Sequence, residues 1–179
     1  MTFESPRLRT TRLELVAATL PMAIAERDDR GSLERDYQIR LALPWPPPLN
    51  DEASLAWSIS VLREANGATG WGFWYFTIPP TDESEPLLAI GNGGFKGGPD
   101  ALGTVEIGYS VLEEYQRRGY ASEAVEALVA WAFLQRGVRR IVAETYPVLI
   151  GSIGVLLKTG FRQVGLGPEE GVIRFERTP

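Results

Sequence analysis

Cysteine and histidine are both missing from this 179-residue sequence. The first absence rules out a disulfide, a thiolate nucleophile and a cysteine zinc site. The second rules out a Ser-His-Asp triad and an imidazole metal ligand, and no metal is expected. A general base here has to be a carboxylate, a tyrosine, a lysine or a water chain. Lysine is scarce: only Lys96 and Lys158 stand beside sixteen arginines, a bias of composition more than of function. No apolar run nears the roughly 18 residues that cross a bilayer. Met1–Thr10 lacks the hydrophobic region of a secretory signal, so a cytoplasmic protein without membrane contact is expected. A net charge of −5 argues against nucleic acid as a partner but leaves room for a local basic pocket.

What is present reads as one domain over residues 1–179, long enough to bury a substantial core. Thr10–Val16 alternates as an opening strand. Thr19 caps a short helix to Arg27, with a proline in its first turn. Asp28–Arg40 is charged and indistinct. The run Leu43-Pro44-Trp45-Pro46-Pro47-Pro48 is a stiff loop, because proline excludes both helix and central strand. Asn50 or Asp51 caps a helix that Asn66-Gly67 ends. Gly72–Ile78 is an aromatic strand. Strands follow at Leu87–Gly91, extended or bulged through Lys96, and at Thr104–Val111. Gly119–Gln135 is the strongest helix, with Ala121, Ala124, Val125, Leu128 and Ala132 on one stripe. Arg140–Thr145 is a strand and Ser152–Thr159 a short helix. Phe161–Val164 and Val172–Arg177 are closing strands. The pattern predicts an α+β, three-layer domain: a mixed, mostly antiparallel sheet of six to seven strands flanked by about four helices.

Two glycine-rich stretches compete as phosphate loops. Gly91–Gly98 fails both common fingerprints: no glycine stands directly before Lys96, Gly97 rather than Ser or Thr follows it, and Lys96 takes the place of a third glycine. Gln116-Arg117-Arg118-Gly119-Tyr120-Ala121 lies between a strand and an amphipathic helix. Free backbone N–H groups and the helix dipole collect there, suiting a phosphate or pyrophosphate. The alternative reading is a bare helix start with two solvated arginines.

Glu106-Ile107-Gly108-Tyr109-Ser110-Val111 followed by Gln116–Ala124 resembles the acetyl-CoA-binding core of the GNAT N-acetyltransferase superfamily. Its pattern there is Gln/Arg-x-x-Gly-x-Gly/Ala. Ser152-x-x-x-Leu156-x-Lys158-x-Gly160-Phe161 resembles the family's downstream helix and turn. Glu4–Arg9 is similar to the entry of the branch holding the ribosomal-protein N-terminal acetyltransferases. The resemblance implies acetyl-CoA as co-substrate. Gln116, Arg117, Arg118, Gly119, Tyr120 and Ala121 would hold its pyrophosphate. Tyr109, Ser110 and Val111 would lie along the pantetheine arm, with Ser152 beyond. It implies acetyl transfer to a primary amine, a protein N-terminus or a small amine, by direct attack in a ternary complex. A homodimer is expected from the resemblance alone.

Two glutamates, Glu144 and Glu106, fall where the resemblance places a proton acceptor, and Tyr146 and Ser152 are candidates for the acid. Each has a structural alternative: an arginine ion pair or solvated strand position for the glutamates, a core position for Tyr146, a helix cap for Ser152. Trp45 and Trp74 could line the acceptor site or fill the core. The sequence departs from the family pattern at Leu149, where an asparagine usually helps hold CoA, and at Leu156, where some members carry a tyrosine acid. These departures keep a rival open: a non-catalytic or weakly active acyl-CoA-binding module on the same fold.

Overall fold

The computed structural model describes residues 5–64 and 70–179. The expected Asn66-Gly67 helix stop, and Glu4 of the opening motif, lie outside the described residues. In chain order the elements are β1 (Arg7–Arg9), β2 (Glu14–Ala17), α1 (Leu20–Asp28), α2 (Arg30–Tyr37), β3 (Ile39–Leu41), α3 (Glu52–Glu64), β4 (Phe73–Ile78), β5 (Leu87–Phe95), β6 (Thr104–Val111), α4 (Tyr120–Leu134), β7 (Arg140–Thr145), α5 (Ile150–Lys158), β8 (Arg162–Leu166) and β9 (Ile173–Arg177). The strands share one sheet in the order β1-β2-β4-β5-β6-β7-β9-β8, and β3 pairs with β5. Only β3–β5 and β6–β7 are parallel.

The α+β class and the mixed, mostly antiparallel sheet therefore hold, and two short strands, β1 and β3, extend the sheet to nine. The opening strand divides because Thr10 to Leu13 forms a tight turn, with Thr10 N donating to Leu13 O at 2.9 Å. Glu14, buried on β2, is then held by Arg7 and Arg9 across the hairpin. The indistinct Asp28–Arg40 stretch resolves into α2, capped by Asp29 through Gly31 N, and β3. β3 takes the edge of β5 at Leu87–Ala89 that β6 leaves, since β6 pairs only with Gly91–Phe95.

Helix starts follow their caps. Thr19 accepts from Met22 N ahead of α1, and Asp51 accepts from Ser54 N at 2.8 Å ahead of α3. The three layers follow from strand alternation. Trp74 and Tyr75 are neighbours on β4 and point to opposite faces. Trp74 packs edge-on against Trp131 of α4, whereas the Tyr75 hydroxyl donates to Glu26 of α1. So α4, with α5 beside it, covers one face, and α1, with α2 and α3, covers the other.

Trp131 joins the α4 layer to the sheet. Its ring lies 4.9 Å from Trp71, 5.3 Å from Trp74 and 5.7 Å from Phe95. Trp131→Ala is expected to cost about 3 kcal/mol in urea unfolding, from lost aromatic contact and the void beneath α4. A loss under about 1 kcal/mol would contradict the packing role.

Candidate active site

The parallel pairing of β6 and β7 runs from Thr104–Arg140 to Ile107–Ala143 and stops there. β6 continues to Val111 against β5 alone. Lys96 N donates to Glu106 O and Leu112 N to Ile90 O, so even-numbered residues of β6 hydrogen-bond toward β5. Odd-numbered residues turn their backbone groups toward β7. Beyond the split, the Tyr109 and Val111 amides therefore face a gap with no partner strand. Gln116 Nε2 satisfies the Val111 carbonyl at 2.9 Å.

A cavity of about 970 Å³ occupies this gap. One wall is the end of β6 with the Gln116–Ser122 loop, and the other is the end of β7 with α5. The loop is concave because Arg117 (φ 58°) and Gly119 (φ 83°) are left-handed on either side of Arg118, which turns successive amides inward. Gly119 meets this requirement without strain, while Arg117 adopts a conformation costly for a residue with a side chain. The first intrahelical bond of α4 is Glu123 N to Gly119 O, leaving the Tyr120, Ala121 and Ser122 amides free at the cavity. No side chain caps the helix. Together these give the loop the chemistry that suits an anion.

The loop is anchored from outside by residues that the sequence reading did not single out. Arg12 donates to Arg118 O at 2.8 Å and to Glu123 Oε2 at 2.8 Å, and its guanidinium lies 4.5 Å from the Tyr120 ring centroid. Thr10 Oγ1 also donates to Glu123, at 2.6 Å. Only Glu123, in the first turn of α4, hinted at a cationic partner; nothing in sequence spacing ties it to a turn more than a hundred residues away.

The structure brings Tyr109, Ser110, Val111, Gln116, Arg117, Gly119, Tyr120 and Ala121 to this cavity, with Glu144, Tyr146 and Ser152 on its other side. Arg118 instead contributes its carbonyl to the Arg12 anchor and folds its guanidinium toward Tyr115. Ser152 is the third residue of α5, not its cap; Leu149 precedes the helix without a side-chain cap bond. Tyr109 donates to Ser152 O at 2.9 Å, and burial pushes its phenol up to about 12, against the opposing hydrogen bond from Ser152. Glu144 and Glu106 both realise the ion-pair alternative: Glu144 accepts from Arg174 Nη2 at 2.6 Å, and Glu106 pairs with Lys96. By register they share one face with Gly108 and Ser110, the face covered by α1–α3.

On that face lies a second cavity, of about 940 Å³, beneath the proline-rich loop and α3. The two cavities meet at Lys96, Gly108, Tyr109 and Ser110, under Pro48 and Leu49. Ser110 Oγ donates to Pro48 O at 2.6 Å, tying that loop to β6. β5 and β6 approach closely at the junction: a Cβ at Gly93 would stand 2.7 Å from Gly108 O, whereas one at Gly108 would meet nothing within 4 Å. Trp45 and Trp74 line neither cavity. Trp74 is fully buried on the α4 face, and Trp45 sits behind the second cavity, donating to Glu26 Oε1 at 2.7 Å. Among the described residues no cluster of three acidic, histidine or cysteine side chains could hold a metal.

Burial pushes the Glu123 carboxyl up, but hydrogen bonds from Thr10 and the Arg12 amide and guanidinium outweigh it, and the net shift is downward. A lowered acid stabilises the fold above its ordinary value and loses that effect as pH falls through the folded value. Glu123→Gln is therefore expected to cost about 1–2 kcal/mol near neutral pH. The gap to wild type should close below about pH 4, followed by thermal unfolding across pH. A gap that widens in acid would contradict this sign.

Sequence and structural relatives agree on the family. Residues 17–162 match the acetyltransferase (GNAT) domain model. The chain is 32% identical to the uncharacterized N-acetyltransferase YjdG of Bacillus subtilis, over 86% of this chain and 88% of that protein. It is 23% identical to the FsC-acetyl coenzyme A-N(2)-transacetylase of Aspergillus fumigatus, over 97% of this chain and 76% of the relative. The fold superposes on the ribosomal-protein-S5-alanine acetyltransferase from Vibrio fischeri with a TM-score of 0.67, at 19% identity, covering 97% and 96% of the two chains. These relatives span several kinds of acetyltransferase rather than one branch. With a matched core, a split sheet and an anion loop at the split, the chain belongs to the GNAT acetyltransferase superfamily.

Proposed function

We propose that the protein is an N-acetyltransferase that moves an acetyl group from acetyl-CoA to a primary amine by direct attack in a ternary complex. The observation that carries this is the meeting of two cavities at the split end of β6. One holds an anion site and a narrow gap suited to a pyrophosphate and a pantetheine arm. The other opens on the opposite face and suits the acceptor.

The pyrophosphate rests on the free amides at the start of α4, with Arg117 beside it. The pantetheine follows the gap, where the Tyr109 and Val111 amides replace the hydrogen bonds of a missing strand. An amide donor at the thioester oxygen stabilises the charge that builds as nitrogen attacks. The new C–N bond forms as the C–S bond breaks, the sulfur leaves as thiolate, and the proton shed by the attacking nitrogen returns to that sulfur to give the free thiol. The acceptor must first lose a proton, since amines are mostly protonated at neutral pH. Glu144 takes it, directly or through water; it lies on the acceptor face where β7 leaves β6, and Arg174 fixes its orientation. Glu106, one pair before the split, is held by Lys96 and lines neither cavity, so it acts through Lys96 on the shape of the junction. Tyr109 and Tyr146 are the hydroxyls beside the leaving sulfur. With its phenol raised to about 12, Tyr109 remains a donor throughout the working range.

Ala121→Asp places a carboxylate at the second position of α4. Helix stability is unharmed there, because the dipole favours an acid, but phosphate binding is opposed. KM for acetyl-CoA should rise by about 100-fold with little change in thermal stability. Glu144→Gln should lower kcat by about 100-fold with acetyl-CoA affinity retained. Tyr109→Phe should lower kcat, and in wild type no activity should be lost to Tyr109 ionisation below about pH 11. Thiol release with a panel of amines and N-terminal peptides measures all three. The rival acyl-CoA-binding module replaces this reading if acetyl-CoA binds, no acceptor releases thiol and Glu144→Gln changes nothing.

A further inference from the structure

Among the described residues only two carboxylates are buried, Glu14 and Glu26. Burying a carboxylate is costly unless it is paired or hydrogen-bonded. Glu14 is neutralised by Arg7 and Arg9. Glu26, 3% exposed, has no basic partner among the described residues. Its two oxygens are each held by a neutral donor: Trp45 Nε1 at 2.7 Å and the Tyr75 hydroxyl at 2.7 Å. Tyr75 is itself fully buried, and burial, then the Glu26 charge, drives its phenol well above the ordinary value, so it donates and does not ionise. Arg30, one turn on, points to carbonyls: Nε to Glu26 O at 3.4 Å and Nη1 to Trp45 O at 3.5 Å. The carboxylate is thus built in and fixed, yet lacks a counter-ion, and it lines the second cavity.

Two cations also line that cavity, Arg30 and Lys96, and neither forms an ion pair with Glu26. Lys96 is engaged by Glu106, while Asp51 and Glu52 add negative charge at the rim. Hydrogen bonds from Ser54, backbone then hydroxyl, hold the Asp51 carboxyl below its ordinary value, so it stays ionised. Register places Glu26 relative to the reaction centre. Tyr75 pairs with Asn92, and Asn92 with Ser110, so the three share a face. Tyr75 therefore stands two strand spacings, roughly 10 Å, from the split end of β6.

We propose that Glu26 is the counter-ion for a second positive charge on the acceptor, so that the enzyme selects dicationic aliphatic amines over monoamines. One ammonium of the acceptor sits on Glu26 while the other end, deprotonated, reaches the thioester at Ser110. Trp45 and Tyr75 each hold one of its oxygens and so fix where the side chain sits. The inference rests on the second cavity being the acceptor site.

The test compares diaminoalkanes of about four to eight carbons with monoamines of the same length. Binding to the CoA complex is followed by calorimetry, and turnover by thiol release. Wild type should bind the best diamine about 10- to 100-fold more tightly than its monoamine. Glu26→Gln, nearly isosteric, should bring that ratio close to one, whereas Tyr75→Phe, which leaves the charge, should keep it. A purely structural role for Glu26 would make both variants lose stability and leave the ratio unchanged. Equal binding of diamines and monoamines by wild type, or an unchanged ratio in Glu26→Gln, overturns the proposal. Charge-dependent diamine binding without thiol release would overturn the acetyltransferase reading instead and leave the recognition role standing.

Discussion

The structure depends on an interrupted strand pair. β6 and β7 are held together for four residue pairs and then part after Ile107–Ala143. A sheet that stops pairing in its interior leaves backbone donors and acceptors that something must satisfy. On the β6 side, the Gln116 side chain takes one carbonyl and the remaining groups face the cavity. This makes the gap a polar slot with a fixed backbone lining, shaped to take an extended, amide-bearing ligand as though it were a strand. The Gln116–Ser122 loop lies at one end of the slot and the second cavity at the other, and both positions follow from where the strands divide.

Holding that division open requires rigid elements on both faces. Trp131 clamps α4 to the aromatic face of β4 and β5, so the loop at the start of α4 is carried by a well-packed helix. The turn after β1 reaches the same loop through Arg12 and Thr10, which bind Glu123 and the Arg118 carbonyl. The first hairpin therefore braces this loop from outside although it lines neither cavity. On the opposite face, the Ser110 hydroxyl ties the proline-rich loop to β6, roofing the junction.

The electrostatics divide in the same way. At the donor end the charge is partial and positive, from free amides, with Arg117 at the rim. In the second cavity three carboxylates, Glu26, Asp51 and Glu52, stand against two cations, Arg30 and Lys96. The acidic total charge of the chain masked this arrangement, which depends on a few groups placed by the fold.

By itself the sequence determined the features that depend on neighbours in the chain. Thr19 and Asp51 cap their helices, because a cap needs only a side chain three residues from a free amide. Gly119 with the amphipathic run after it marked the loop and the start of α4, and alternation separated the strands. Whatever depended on partners distant in sequence was decided by tertiary structure. Glu144 and Glu106 acquired Arg174 and Lys96 through strand register. Trp74 went to the core because β4 turns that side chain toward α4. Trp45 lies behind the second cavity, where its indole N–H meets a carboxylate. Glu26 reads as an ordinary acid near the end of a short helix, and only the packing of α1 over β4 buries it. The split of the sheet is likewise invisible to local pattern, since β6 keeps its strand character after its neighbour has left.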